Sequence, residues 1–192
     1  GTNQRPILLV ASTHRGEDEI ILDAFAQIKA EIENPLLLLV PRHPERFNQV
    51  AELCTAAGFN LARRSGGDKV DSADILLGDT MGELMSFFGA CDIAFVGGSL
   101  VPSGGHNMIE PAAWGVPVLT GPHLFNFSEA SQLLLEGGAM QIYHSADQMA
   151  EQVVELLQNQ VQRTEMGNAA QRIAEANRGA LDRLLNLIEK TI

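Results

Sequence analysis

The sequence predicts an α/β fold in which helices cover both faces of a parallel sheet. Its strand-like segments are apolar at every position, as in "PILLVAS" (6–12) and "LLLLVP" (36–41), which is typical of strands buried on both faces. These segments alternate with amphipathic helical patterns, and such alternation favours parallel strands joined by crossover helices. The length of 192 residues suits one domain with a substantial core, so we expect a single domain over 1–192.

In the first half of the chain, the strand at 6–12 is followed by a helix with an acidic first turn and apolar residues at helical spacing,. Pro35 ends this helix, and the strand at 36–41 follows. The segment "ERFNQVAELCTAAGF" predicts a second helix, for which Gly58 is the expected C-terminal stop,. A weaker strand is expected near 60–63.

The second half continues the alternation. Four further segments predict strands, at 71–79, 92–98, 116–122 and 139–144,. Helices are expected over 80–91, in a short segment before 116, over about 127–136, and from Ala146 onward, where Gly167 and Gly179 are the expected breaks,.

Composition excludes several classes of function. The formal net charge is −11 and the isoelectric point is about 4.8, which argues against binding of a nucleic-acid backbone. The longest apolar run is about five to seven residues, whereas a helix across a bilayer needs about 20. Cys54 and Cys91 form no C-x-x-C pair, and no group of potential ligands has the spacing of a metal site.

The least ordinary residues follow four of the predicted strands. Ligands of open parallel sheets bind in the loops at the carboxyl ends of the strands. The coincidence therefore predicts a ligand site at that edge of the sheet.

The first such loop is "ASTHRGE" (11–17). Here Ser12, Thr13 and His14 precede a helix N-terminus, where backbone N–H groups favour an anion,. The spacing matches neither the dinucleotide fingerprint nor the P-loop. An ordinary Ser or Thr cap is the alternative interpretation.

The second loop is "PRHPER" (41–46). Between two prolines that stiffen the turn, Arg42 offers a planar fork of donors to a phosphate, and His43 can add another,. Pro41 begins the loop. A solvated surface turn is the alternative.

The third loop is "GDTMGEL" (78–84), which contains Met81, Gly82 and Glu83. Gly82 allows a close approach of a ligand to the backbone. The spacing of Thr80 and Glu83 also predicts a capping box, in which both side chains would be used by the helix.

The fourth loop carries four glycines and a histidine between two strands, which is more than helix capping requires. Asn107 and Glu110 would share one helix face, and a carboxylate there can accept both hydroxyls of a ribose. The alternative makes Asn107 the N-cap with Glu110 at the third helical position. The further candidates in this loop are Gly98, Ser99, His106, Met108 and Ile109.

Taken together, "STHRGE", "VPRHPERF", "GDTMGEL" and "FVGGSLVPSGGHNMIEPAAWGVPVLTGPHLFNF", in this order, resemble the C-terminal half of 3-deoxy-D-manno-octulosonate (Kdo) transferases. The resemblance implies a Rossmann-like domain, one of the two that face a cleft in B-type glycosyltransferases, and CMP-Kdo as donor substrate. It places Pro41 and Arg42 at the donor phosphate. It assigns Met81, Gly82 and Glu83 to the cytidine, and Asn107, Met108, Ile109 and Glu110 to the phosphate and ribose.

The resemblance also implies what lies outside this chain. The catalytic base, the site for the lipid A precursor and the membrane anchor would belong to an N-terminal half. The full-length enzyme would act in lipopolysaccharide synthesis at the cytoplasmic face of the Gram-negative inner membrane, while this fragment would be soluble and inactive alone. No metal and no other cofactor is implied.

Two other functions stay open on the sequence. One is the donor domain of a sugar-nucleotide epimerase with the same architecture, which would need a uridine site. The other is a non-catalytic binding module whose loops are merely structural.

Overall fold

A seven-stranded sheet with the order β3-β4-β2-β1-β5-β6-β7 forms the centre of the fold, and its neighbouring strands are parallel throughout. The computed structural model describes residues 5–189, and side chains as far as residue 178. The predicted parallel sheet is therefore confirmed.

Each predicted strand is present, although several are shorter than their apolar segments. The strands are Ile7–Thr13 (β1), Leu36–Pro41 (β2), Leu61–Arg63 (β3), Ile75–Leu77 (β4), Ile93–Val96 (β5), Val118–Thr120 (β6) and Met140–Ile142 (β7). The helices are Asp18–Glu31 (α1), Phe47–Ala56 (α2), Leu84–Phe88 (α3), Ile109–Ala113 (α4), Ser128–Glu136 (α5), Ala146–Gln158 (α6) and Gln160–Glu189 (α7), and a 3-10 turn spans Pro44–Arg46.

Side chains of one strand enter cores on opposite faces of the sheet, which explains the continuous apolar runs. Leu8 and Val10 of β1 pack with α1, α2 and α6. Leu9 and Ala11 pack with the aromatic residues of α3 on the other face. A third apolar cluster joins β5–β7 to α4, α5 and α7. Both faces are therefore buried, as the sequence predicts.

The predicted break at Gly167 is wrong. The chain interrupts its helix earlier, at Asn159, and α7 then continues through both Gly167 and Gly179. A Cβ on Gly167 would stand 2.1 Å from the carbonyl oxygen of Gly115. This glycine therefore permits close packing of α7 against the turn after α4.

The sheet order determines where the four unusual loops meet. Because β4, β2, β1 and β5 are neighbours and parallel, the loops after them leave the same edge of the sheet. No helix within residues 5–189 has the length and apolar character needed to cross a bilayer.

Candidate ligand site at the carboxyl edge of the sheet

A buried carboxylate ties the first loop to the fourth. Glu17 is 0% exposed, and its two oxygens accept four backbone N–H groups at 2.6 to 3.0 Å. The donors are His14, Gly98, Ser99 and Leu100. An internal side chain thus occupies consecutive N–H groups of the glycine-rich loop, and their geometry is determined before any ligand binds.

Sequence reasoning missed this role of Glu17, which it assigned to an acidic first helical turn. The residue is instead the N-cap of α1, without a side-chain hydrogen bond to that helix. Its partners in the fourth loop lie 81 to 83 residues away. Local spacing gives no signal for such contacts.

A second buried network joins the first loop to the second. The hydroxyl of Thr13 donates to Asp18 at 2.7 Å, and the guanidinium of Arg46 pairs with the same carboxylate. Arg46 also donates to the carbonyl oxygen of Thr13 at 2.8 Å. These contacts link the ends of β1 and β2, where the pairing register shifts between Ala11 and Thr13.

Three histidines meet above the ends of β1 and β2. The Nε2 atoms of His14 and His106 are 2.8 Å apart, and their rings lie side by side and nearly coplanar, with centroids 5.0 Å apart. His43 packs edge-on against His14 at 5.4 Å. The structure therefore brings together three residues that the sequence placed in three separate loops.

The environment of this histidine cluster disfavours positive charge. Burial is the largest influence and lowers the pKa of His14, and nearby cations lower it further, although Glu17 opposes them. Burial likewise lowers the pKa of His106 to about 4, with His14 and Arg42 contributing. Both imidazoles are accordingly neutral near pH 7.

Arg42 stands next to this cluster with its side chain exposed. Its backbone N–H donates to the carbonyl oxygen of Thr13 at 3.0 Å, which continues the link between the loops. Among the side chains that the structure describes, no carboxylate forms an ion pair with its guanidinium. Pro41 beside it is buried as the last residue of β2. The donor fork of Arg42 is thus available to an anion.

The third loop departs from the predicted capping box. Helix α3 begins at Leu84, so Thr80 is too far upstream to cap it. The Thr80 hydroxyl instead donates to the Glu83 carboxylate, which also accepts Arg64 at 2.7 Å. The hydrogen bond from Arg64 is the main reason that the pKa of Glu83 lies below its usual value. The predicted cap is therefore wrong because the loop extends past Gly82 in a positive-φ conformation.

The backbone of this loop is nevertheless accessible. Met81 is 66% exposed. Apart from Gly82 and its two neighbours in the chain, no described residue has a heavy atom within 4 Å of the place that a Cβ on Gly82 would occupy. A planar ligand can approach the main chain here.

In the fourth loop, Asn107 and Glu110 contact each other, although Asn107 lies before α4 and not on the helix face that the sequence predicted for it. The amide of Asn107 donates to Glu110 at 3.1 Å, and its oxygen accepts the N–H of Ile109 at 3.1 Å. The N-cap position of α4 is Met108 and not Asn107. The alternative interpretation of Asn107 as the N-cap is therefore wrong by one residue. The Glu110 carboxylate remains partly exposed.

Several candidates support the loops from within. Ser12, Thr13 and Ser99 are buried. The Ser99 hydroxyl donates to Val96 at 2.6 Å and accepts the N–H of Gly121 at 2.8 Å. Met108 is 0% exposed in the core, backbone included, so it supports the loop and offers no surface to a ligand in this conformation. Among the described residues, no group of three or more His, Cys, Asp or Glu side chains is arranged to hold a metal ion.

Comparison with known proteins identifies the family. The chain is 49% identical over 187 residues to the 3-deoxy-D-manno-octulosonic acid transferase of Haemophilus influenzae, and 39% identical over 194 residues to that of Bordetella pertussis. It is 34% identical to the crystal structure of the C-terminal CMP-Kdo binding domain of WaaA from Acinetobacter baumannii, covering 89% of this chain and 90% of that one, with a TM-score of 0.85. The chain belongs to the Kdo transferase family.

The relatives are longer than this chain. The two alignments include 96% and 98% of this chain but only 44% and 45% of the two curated Kdo transferases, so the chain spans about half of their length. The cholesterol-α-glucosyltransferase catalytic domain of Helicobacter pylori, at 13% identity and a TM-score of 0.65, shares the fold alone. The predicted Rossmann-like domain of a B-type glycosyltransferase is thereby confirmed. No protein-family model matches the chain.

Proposed function

We propose that this chain is the donor-binding domain of a Kdo transferase and that it binds CMP-Kdo. The observation that carries the proposal is the match along nearly the whole length of a domain that binds CMP-Kdo in Acinetobacter baumannii. The loops that carry the resemblance leave one edge of the sheet, where nucleotide ligands of open α/β sheets bind,.

In this proposal, Arg42 and Pro41 contact the donor phosphate. The guanidinium is exposed and stands at the end of a central strand. When an acceptor hydroxyl attacks the anomeric carbon and CMP departs, negative charge grows on the departing phosphate. A fixed guanidinium stabilises that charge with little reorganisation.

The nucleoside would lie between the third and fourth loops. The open backbone at Met81–Gly82 suits the flat face of a cytosine, and the partly exposed Glu110 carboxylate suits the paired hydroxyls of a ribose. Asn107 orients that carboxylate through its 3.1 Å hydrogen bond. Because both oxygens of the Glu83 carboxylate already accept hydrogen bonds, from Arg64 and from Thr80, its contribution would come from the backbone.

The activity of the whole enzyme is part of the same proposal. The acceptor would be a lipid A precursor bound by an N-terminal domain that also supplies the catalytic base, and the enzyme would work at the cytoplasmic face of the inner membrane. This chain alone would bind CMP without transferring Kdo, and would need no metal or other cofactor.

The test is a calorimetric titration of the chain with CMP, CDP and UMP, with and without a chelator. We expect CMP to bind more tightly than UMP, and the chelator to have no effect. Equal affinity for UMP would favour the epimerase interpretation instead. If none of the three nucleotides binds, the domain is not a donor site. An assay for Kdo transfer by the chain alone checks the proposal that it binds CMP without transferring Kdo.

A further inference from the structure

We propose that His14 and His106 act as one proton-accepting unit beside Arg42, which takes up a single proton when an anionic group of the nucleotide sugar binds. This inference rests on the proposed function and deepens it. It assigns to these two histidines the role of compensating the negative charge of the ligand. Neither histidine is among the residues proposed above to contact the phosphate, the cytidine or the ribose.

The first support is the geometry of the pair. At an Nε2–Nε2 distance of 2.8 Å, one ring must donate its N–H and the other must accept it. A neutral pair meets this requirement with one proton on each ring. The two rings are nearly coplanar, with an interplanar angle of 23°, so the N–H of one ring can point at the Nε2 of the other. His43 packs edge-on against the His14 ring.

The second support is the set of charges that face the pair. Arg42 and Arg46 act on His14 as cations, and Glu17 acts as an anion. His14 itself, Arg42 and Glu17 act on His106. Glu17 is already engaged by four N–H groups, so the pair lies in a positive and partly buried environment that keeps it neutral.

An anion bound at Arg42 reverses this balance. Its negative charge, in a place from which the ligand excludes water, favours the protonated form of a nearby imidazole. One added proton converts the pair into an imidazolium that still donates to its neutral partner. A second proton would point two N–H groups at each other across 2.8 Å, so the pair takes up at most one proton.

The linkage has a defined sign. Because the anion raises the pKa of His106 from about 4 in the free protein, affinity increases as pH falls through the pKa of the complex. It levels off below the pKa of the free protein. Departure of the anion releases the proton again.

Phosphate and carboxylate share the chemistry that the pair would recognise. The nucleotide supplies the first and the sugar acid supplies the second. Titrations with CMP and with Kdo therefore separate the two sources, because each probe carries only one of these groups.

The experiment measures proton uptake by calorimetry at about pH 6, in buffers that differ in ionisation enthalpy, for the wild type, His106→Gln, His14→Gln and the control His144→Gln. His144 is exposed and follows β7, on a different strand. The phosphate of a nucleotide titrates near the same pH, with a pKa of about 6, and this contribution cancels in the difference between proteins.

We expect the wild type and His144→Gln to take up the same fraction of a proton, and the two cluster variants to lose most of the excess. If CMP or Kdo binds and uptake is equal in all four proteins, the inference fails while the donor-site proposal stands. If neither probe binds, both fail. Histidine ring NMR titrations of the wild type with and without the probe need no variant. An unchanged pKa for His14 and His106 on binding would overturn the inference even if the variants do not fold.

Discussion

Replacement of Glu17 by Gln is the perturbation that best tests how the ligand loops are held. The change preserves size and removes one acceptor oxygen. In the wild type, one oxygen accepts the N–H groups of His14 and Gly98, and the other accepts those of Ser99 and Leu100. Whichever way the new amide turns, its NH₂ group faces two donors.

The expected cost follows from those two donors. A buried N–H group that loses its acceptor costs about 1–3 kcal/mol, so two cost about 2–6 kcal/mol. The middle of this range, about 4 kcal/mol, lowers the melting temperature of a domain of this size by about 8–16 °C. The glycine-rich loop should loosen locally as well, because Glu17 ties it to β1.

The measurement is the free energy of unfolding from urea titration, compared with Glu19→Gln. The control makes the same chemical change two residues away, at an exposed position, where the change in the free energy of unfolding should stay within about 0.5 kcal/mol. Amide hydrogen exchange at residues 98–100 should rise in Glu17→Gln alone. Equal stability of the two variants would refute the reasoning that the carboxylate anchors the loop.

Three further predictions follow from the same structure. Arg42→Ala and Glu110→Ala should each weaken CMP binding by about 1–3 kcal/mol without changing the free energy of unfolding. The control Arg172→Ala, on the exposed side of α7, should bind CMP normally. Calorimetry measures the three affinities, and normal affinity in both site variants would contradict the assignment. Gly167→Ala should destabilise the domain by about 1–3 kcal/mol, although alanine favours helices, because the new Cβ would collide with the backbone of the turn that follows α4. Asn168→Ala is the control. A Gly167→Ala variant more stable than the wild type would show that the backbone moves away from the new methyl group at no cost. Burial alone would raise the pKa of Asp79, but hydrogen bonds from Ser65 and Arg63 outweigh it and the pKa is lowered. Asp79→Asn should therefore be less stable than the wild type near neutral pH, and the difference should shrink as pH falls through the lowered pKa, which is the opposite of what a merely desolvated carboxyl would give.

Much of the fold was predictable because its signals are local. A strand such as β2 is buried on both faces and must be apolar at successive positions, and a helix such as α1 shows its buried side at helical spacing. Elements that depend on a single residue were less predictable. A glycine in a helical segment predicts a break, yet Gly167 lies inside α7, where the backbone of the turn after α4 packs against it.

The candidate site divides in the same way. Arg42 and the loop at Asn107–Glu110 could be chosen from sequence, since their residue types and their place after strands are visible there. The capping box at Thr80 failed because the start of α3 depends on how the preceding loop leaves the sheet.

By itself the sequence determined that a parallel sheet forms and that its unusual loops follow four of the strands. The tertiary structure decided that these four strands are neighbours, that Glu17 anchors a loop more than 80 residues away, and that His14 meets a histidine 92 residues along the chain. The physical reason is that apolar periodicity acts between residues close in sequence. Buried hydrogen bonds select their partners only after the sheet has set which loops lie side by side.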